Sequence, residues 1–186
     1  MLTLPKDLNS DFTLRLARDA CSRRFNREVI MEKPSRIASF SVNHDFIDEG
    51  IYVSRIDGDI ITYDLRTRKP NSGDYMDNLT MHSVEHMIAT YIRNGKIGSD
   101  VIYFGPMGCQ TGFYLLVRNR TNEEVLHALR TALTATVNNT EGMFGARREE
   151  CGNYQNLDIL AAKRECERFL NVISKQGIDF KYKEQK

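Results

Sequence analysis

"IYVSRIDGDIITYDL", residues 51–65, decides the fold class, because its pattern predicts two strands joined by a tight turn. The apolar segments at residues 51–56 and 59–65 flank the dipeptide Asp57-Gly58. An Asp-Gly pair between such segments is a strong hairpin signal, since a type I′ turn requires positive φ at both central positions. An antiparallel sheet is therefore predicted to begin here.

Further strands and helices are predicted on either side of this hairpin. Three more segments have strand patterns, at residues 37–42, 100–104 and 112–117. Three amphipathic segments predict helices, at His82–Arg93, Thr121–Asn138 and Asn156–Lys175. Thr80 is the expected N-cap of the first helix, and Gly95 is expected to end it. This order predicts an α+β fold, in which a single domain packs helices on one face of an antiparallel sheet.

The composition narrows the class of protein. The 186 residues are 41% hydrophobic and 27% charged, which suits one domain with a sizeable core. A net charge of +1 without a long basic stretch argues against nucleic acid or a membrane surface as partner.

Residues 1–30 are expected to form an N-terminal extension of a main domain at residues 31–186. Residues 11–28 have the pattern of an amphipathic helix, so the extension is predicted to be either helical or disordered. It contains no apolar signal core, and no run in the chain approaches the roughly 18 apolar residues that cross a bilayer. We therefore expect a cytoplasmic protein without a membrane partner, whose four cysteines are thiols, metal ligands or core residues.

The segment "HSVEHMIATYIRN", residues 82–94, carries the first candidate for chemistry. With His82 at 0° on a helical wheel, His86 lies at about 40° and Glu85 at about −60°, opposite the apolar side chains. Two histidines four residues apart can bind one metal ion, and a nearby carboxylate can move protons, as in the H-x-x-E-H motif. The alternative is a pair of surface histidines on a solvated helix face.

Two cysteines extend this candidate site. Cys151, in "EECGNY", is a candidate third metal ligand, which would leave one position open for water or substrate. Cys109 lies in the glycine-rich loop "FGPMGCQTGFY", where a thiol near a metal would have a lowered pKa and could act as base or nucleophile. For each cysteine the alternative is a small buried residue.

Arg93 lies on the same side of the predicted helix as the two histidines, about 10 Å beyond His86 along the axis. Its guanidinium could hold the carboxylate of an elongated substrate. The alternative is a surface cation that the helix dipole favours near the C-terminus.

Three motifs, taken together and in this order, resemble the S-ribosylhomocysteine lyase (LuxS) family: "HSVEHMIATYIRN", "GPMGCQTGFYL" and "ECGNY…LDILAAK". The segments "ASFSVNHDFIDEGIYVSR" and "YDLR" agree as well, so the likeness runs from about Met31 to the C-terminus. The resemblance implies roles for nine residues. The metal ligands would be His82, His86 and Cys151, the catalytic pair Glu85 and Cys109, and the substrate-binding residues Ser39, His44, Arg66 and Arg93.

The resemblance also implies a reaction. The family cleaves the thioether of S-ribosylhomocysteine to homocysteine and 4,5-dihydroxy-2,3-pentanedione. The pentanedione is the precursor of the quorum-sensing signal autoinducer-2, and the release of homocysteine serves the activated methyl cycle. Carbonyl migration along the sugar precedes β-elimination. One divalent metal per subunit is implied, ferrous iron in the native enzyme, with zinc or cobalt as replacements. A homodimer with active sites at the interface is implied too, in which Ser39, His44 and Arg66 reach a site whose metal is held by the other chain.

Two rival functions share the metal-binding pattern. An H-x-x-E-H metallopeptidase would use Glu85 to activate water, but it usually takes a carboxylate as third ligand. A non-enzymatic metal module would close its site with four protein ligands. Neither rival requires Cys109, so its presence in the glycine-rich loop favours the lyase.

Overall fold

The structure is a computed structural model that describes residues 33–37, 40–175 and 177–183. The chain divides after Ile37 into two units, and every element described below belongs to the second. The helix predicted at residues 11–28 and the candidate Ser39 lie outside the described residues. The boundary predicted after residue 30 stays a prediction.

Four antiparallel strands form one sheet in the order β1-β2-β4-β3, as the α+β prediction requires. They are β1 (Gly50–Asp57), β2 (Ile60–Arg66), β3 (Val101–Pro106) and β4 (Gly112–Arg118). The strand predicted at residues 37–42 is wrong for the described part of that segment, where residues 40–42 turn into a short 3-10 helix, His44–Phe46. Asn43 caps that helix by accepting a hydrogen bond from the Asp45 N–H, and local bonds of this kind compete with strand pairing.

The hairpin turn lies one residue later than predicted. Asp57 pairs with Ile60, so Gly58 and Asp59 are the central residues of the turn. Gly58 has a φ of 61°, and neither aspartate has a positive φ. The type I′ prediction is therefore wrong, and the turn has the pattern of type II′, in which glycine takes the first central position.

Three helices pack on the sheet: α1 (Asn78–Arg93), α2 (Asn122–Val137) and α3 (Ile159–Ile173). The prediction of Thr80 as N-cap of α1 is wrong, because the Asp77 carboxylate accepts the Thr80 N–H at 2.7 Å and starts the helix earlier. The predicted start of α2 is confirmed, with Thr121 and Glu124 forming a capping box. α3 begins after Asp158, later than predicted.

The core lies between the helices and one face of the sheet. Alternate strand residues point into it, with Tyr63 and Leu65 on β2 and Phe113 and Leu115 on β4 at most 1% exposed. Each such side chain stabilises the fold by roughly 1.5–3 kcal/mol through burial. The other face of the sheet, called the outer face below, carries Asp64 on β2. No helix in the described part of the chain has the length and hydropathy that spanning a bilayer requires.

Candidate active site

Helix α1 and the loop before α3 bring three potential metal ligands together. His82 and His86 lie one helical turn apart, with ring centroids 4.6 Å apart and nearly perpendicular planes. Cys151 Sγ lies 3.4 Å from His82 Nε2, and the ligand atoms of all three residues lie within 4.8 Å of one another. Ligand bonds of about 2.0–2.3 Å in a tetrahedron separate ligand atoms by about 3.3–3.8 Å, so the trio fits one ion after a small closure.

Backbone carbonyls fix the tautomer of both histidines. His82 Nδ1 lies 2.9 Å from the carbonyl oxygen of Asn156, and His86 Nδ1 lies 2.9 Å from that of Phe144. A carbonyl oxygen only accepts, so each Nδ1 carries the proton and donates it. Each Nε2 therefore keeps its lone pair for a metal, in the arrangement that orients histidine ligands in metalloproteins.

The loop between α2 and α3 is shaped to supply these partners. Gly145 has a φ of 63°, and a Cβ at this position would lie 2.8 Å from His86 Nδ1. Only glycine therefore lets the neighbouring carbonyl of Phe144 approach the imidazole ring. The Phe144 ring packs edge-on against Tyr91 of α1 at 5.2 Å, and the Asn153 N–H donates to Cys151 Sγ at 3.3 Å.

Glu85 lies between the two histidines on α1 and is half-buried. Among the described residues it has neither a hydrogen-bond nor an ion-pair partner.

A second cluster surrounds Cys109 in the loop between β3 and β4. The thiol is exposed, and its sulfur lies 3.1 Å from Thr111 Oγ1. Arg66, at the end of β2, donates through Nη1 to Cys109 Sγ at 3.6 Å and to Thr111 Oγ1 at 2.6 Å. Gly112 lets the backbone of β4 lie against that of β2 beside Arg66, since a Cβ there would lie 2.0 Å from the carbonyl oxygen of Leu65.

These contacts lower the pKa of the Cys109 thiol. Partial desolvation of the sulfur raises the pKa, but the hydrogen bonds from the side chain and backbone of Thr111 and the charge of Arg66 together outweigh it. The thiolate is thus favoured relative to an ordinary cysteine, as a base or nucleophile requires.

Arg66 is itself held by a buried ion pair on the outer face of the sheet. Arg66 and Asp64 are 3% and 2% exposed, and Nη2 of the arginine donates to Oδ2 of the aspartate at 2.9 Å. Nε lies 2.7 Å from Oδ1, which is an ion-pair distance although the N–H direction misses hydrogen-bond alignment. The guanidinium therefore joins Asp64 on one side to Cys109 on the other.

A family comparison decides the identity of the chain. The family model for S-ribosylhomocysteinase (LuxS) matches residues 37–179, which contain both clusters. The chain belongs to the S-ribosylhomocysteinase (LuxS) family. Membership confirms that it is an enzyme of the lyase class, as the resemblance of its motifs predicted.

This chain matches curated relatives in the LuxS family over most of the length of those relatives. An S-ribosylhomocysteine lyase of Finegoldia magna is 41% identical over 146 residues, which cover 75% of this chain and 92% of that protein. The S-ribosylhomocysteine lyase of Clostridium beijerinckii is 41% identical over 144 residues, 74% of this chain and 91% of that protein. One from Borrelia garinii subsp. bavariensis is 36% identical over 145 residues, 75% of this chain and 92% of that protein.

Those residues of the described chain that the LuxS resemblance assigns to substrate binding are dispersed. Arg93 is exposed and donates to the carbonyl oxygens of Val101 and Ile102, at 3.1 and 3.2 Å. His44 is half-buried, with Nδ1 2.9 Å from the carbonyl oxygen of Val42. Arg66 lies in the cysteine cluster, so the structure groups it with the predicted base rather than with the metal ligands.

Sequence reasoning missed the groups that position the predicted side chains. Thr111 stands two residues after Cys109 in the glycine-rich loop, a spacing that could have marked it. Asp64 precedes Arg66 by two residues on a strand, so the period of two predicts that both side chains lie on the same face of the sheet. The carbonyl of Asn156 had no such signal. The later start of α3 has a local cause, because the Asp158 carboxylate caps the helix by accepting the Leu160 N–H.

Proposed function

We propose that this chain is a metal-dependent lyase that converts S-ribosylhomocysteine to homocysteine and 4,5-dihydroxy-2,3-pentanedione. The observation that carries the proposal is the pairing, in a member of the LuxS family, of a histidine–histidine–cysteine trio with a thiol activated by a buried arginine. The products connect the enzyme to autoinducer-2 synthesis and to homocysteine recovery in the activated methyl cycle.

His82, His86 and Cys151 would hold one divalent metal per subunit. Three protein ligands leave a coordination position open, as catalytic sites do. When bound, the metal supplies Lewis acidity that stabilises the negative charge of an enediolate. Ferrous iron is the native metal that the family resemblance implies, and the two imidazoles and one thiolate also suit zinc or cobalt.

Cys109 and Glu85 would carry the protons. The thiolate of Cys109 removes a proton from a sugar carbon, and the proton returns to the neighbouring carbon, so the carbonyl moves from C1 to C2 and then to C3. Glu85 transfers protons at the sugar oxygens during each shift. Removal of the C4 proton then breaks the C5–S bond, and the electron pair leaves with homocysteine as its thiolate. Arg66 and Thr111 lower the pKa of Cys109 and so favour the base form that the first step needs.

We propose a cytoplasmic homodimer in which the active sites lie at the subunit interface. Strand register puts Tyr103, Tyr114 and Leu116 together on the outer face of the sheet, and Tyr103 is 47% exposed. Exposed apolar surface of this kind favours a protein interface. In such a dimer Ser39, His44 and Arg66 would contribute to the site whose metal the other chain holds.

Arg93 would bind the carboxylate of the homocysteine part of the substrate. Its present partners are neutral carbonyl oxygens, and a charge-assisted bond to a carboxylate is stronger. The substrate can therefore displace these contacts.

The direct test is to incubate the purified protein with S-ribosylhomocysteine and titrate the released thiol, with elemental analysis of the bound metal. We expect release of one homocysteine per substrate consumed. Fully metallated protein that releases no homocysteine would exclude the lyase. A peptidase is disfavoured because the third potential ligand is a thiol instead of a carboxylate.

A further inference from the structure

The C-terminal segment, residues 177–183, wraps around the β1 edge of the sheet. The Val53 N–H donates to the carbonyl oxygen of Phe180 at 2.8 Å, and the Phe180 ring is buried edge-on to Tyr63 in the core. Two residues later, Tyr182 lies on the outer face, stacked on Tyr52 at 4.8 Å with ring planes 11° apart. The segment thus brings one tyrosine to the face that carries the buried ion pair.

The hydroxyl of Tyr182 reaches that ion pair directly. It donates to Asp64 Oδ2 at 2.8 Å, the same oxygen that accepts Arg66 Nη2 at 2.9 Å. Arg66 Nη1 in turn faces Cys109 Sγ and Thr111 Oγ1. A continuous chain of polar contacts therefore runs from the C-terminal segment to the predicted catalytic sulfur.

We propose that Tyr182 is a positioning residue for Cys109. Tyr182 shares the Asp64 carboxylate with Arg66, and this sharing leaves the guanidinium turned toward the sulfur of Cys109. Without the hydroxyl, Asp64 Oδ2 would keep Arg66 as its donor among the described residues, and would draw the guanidinium away from Cys109. The importance of Tyr182 for turnover rests on the lyase function proposed above. The effect of Tyr182 on the Cys109 thiol is independent of that function.

The charges around the sulfur make the direction of this effect definite. Within the described part of the chain, the titratable and charged groups that face the cluster are Asp64 and Arg66 from β2, Tyr114 from β4, and the stacked Tyr52 and Tyr182. Burial raises the pKa of all three tyrosines, and the nearby Asp64 raises them further, so they stay neutral while a thiol titrates. Tyr182 is thus a neutral donor throughout. A weaker field from Arg66 at Sγ must raise the pKa of Cys109.

The test is the pH dependence of Cys109 alkylation in the full-length protein. Iodoacetamide is added between pH 5 and pH 10, and mass spectrometry of the Cys109 peptide separates this thiol from the others. We expect Tyr182→Phe to raise the midpoint by about half to one pH unit, which slows alkylation about threefold to tenfold below the midpoint. The rate at high pH should be unchanged, since both proteins are then thiolates.

Tyr52→Phe is the matched control. It keeps the stacked pair but removes a hydroxyl that donates to the backbone carbonyl of Asp48 rather than to Asp64. We expect its midpoint to equal that of the wild type, and thermal melting checks that both variants are folded. In an Asp64→Asn background, Tyr182→Phe should shift the midpoint less than it does in the wild type.

An unchanged midpoint in Tyr182→Phe, or an equal shift in Tyr52→Phe, would overturn the inference. These outcomes are separate from the fate of the lyase proposal. A shifted midpoint in a protein that releases no homocysteine would keep Tyr182 as positioning residue and exclude the proposed reaction. If the reaction occurs, the acidic limb of its kcat/KM profile should move with the alkylation midpoint.

Discussion

Gly145→Ala should weaken metal binding without removing any ligand. The added Cβ would stand 2.8 Å from His86 Nδ1, where an ordinary contact needs about 0.6 Å more. Either the imidazole or the loop must shift, and the 2.9 Å bond from Nδ1 to the Phe144 carbonyl is then lost. Loss of such an orienting partner costs about 10–100-fold in metal affinity, or about 1.4–2.7 kcal/mol.

Gly142→Ala is the control for backbone strain. Gly142 also has a positive φ, 92° against 63° at Gly145, but its Cβ would have no atom within 4 Å. Both variants should lose about 1–2 kcal/mol of stability from the left-handed backbone. Only Gly145→Ala should also lose affinity for the metal.

The assay is an anaerobic titration of the metal-free protein with cobalt(II) in competition with a chromophoric chelator. Visible absorbance reports the filled site, and thermal melting of the metal-free proteins reports the strain. Wild-type affinity in Gly145→Ala would refute the role given to the Phe144 carbonyl. An equal loss of affinity in Gly142→Ala would attribute the effect to loop strain instead.

Three further predictions concern the cysteines and the sheet. Cys109→Ala should bind metal normally but lose at least 100-fold in homocysteine release, whereas Cys151→Ala should lose the metal in elemental analysis. Thr111→Val removes a hydrogen bond to the sulfur and should raise the pKa of Cys109, so alkylation at pH 7 slows while the rate above pH 10 is unchanged. Gly112→Ala should destabilise the fold by about 1–3 kcal/mol or more, because its Cβ would meet a backbone oxygen at 2.0 Å. Gly108→Ala, with no atom within 4 Å of its Cβ, should melt like the wild type.

Patterns of short range predicted much of the fold. The hairpin and the start of α2 depend on neighbouring residues, and both are present, although the hairpin turn lies one residue later than the Asp-Gly pair predicted. The errors arose where two local signals competed. Asp77 and Thr80 were both suitable caps for α1, and the carboxylate prevailed.

For the candidate site, too, the sequence predicted some contacts and not others. The spacing of His82 and His86 on one helix predicted their proximity, and the structure brings Cys151 beside them. The partners that orient them are backbone carbonyls, which every residue has, so no residue type marks them in the sequence. The contact between Tyr182 and Asp64 joins positions 118 residues apart and was equally out of reach.

The three candidate ligands also bear on how the protein folds. His82 and Cys151 are 69 positions apart, with the whole of α2 between them. An ion bound by both would join these distant parts of the native chain, so its binding free energy would add to the stability of the fold. Because binding to the native state alone raises stability by mass action, the melting temperature should rise with the concentration of free metal. Calorimetry could therefore follow metal loading of this enzyme without any substrate.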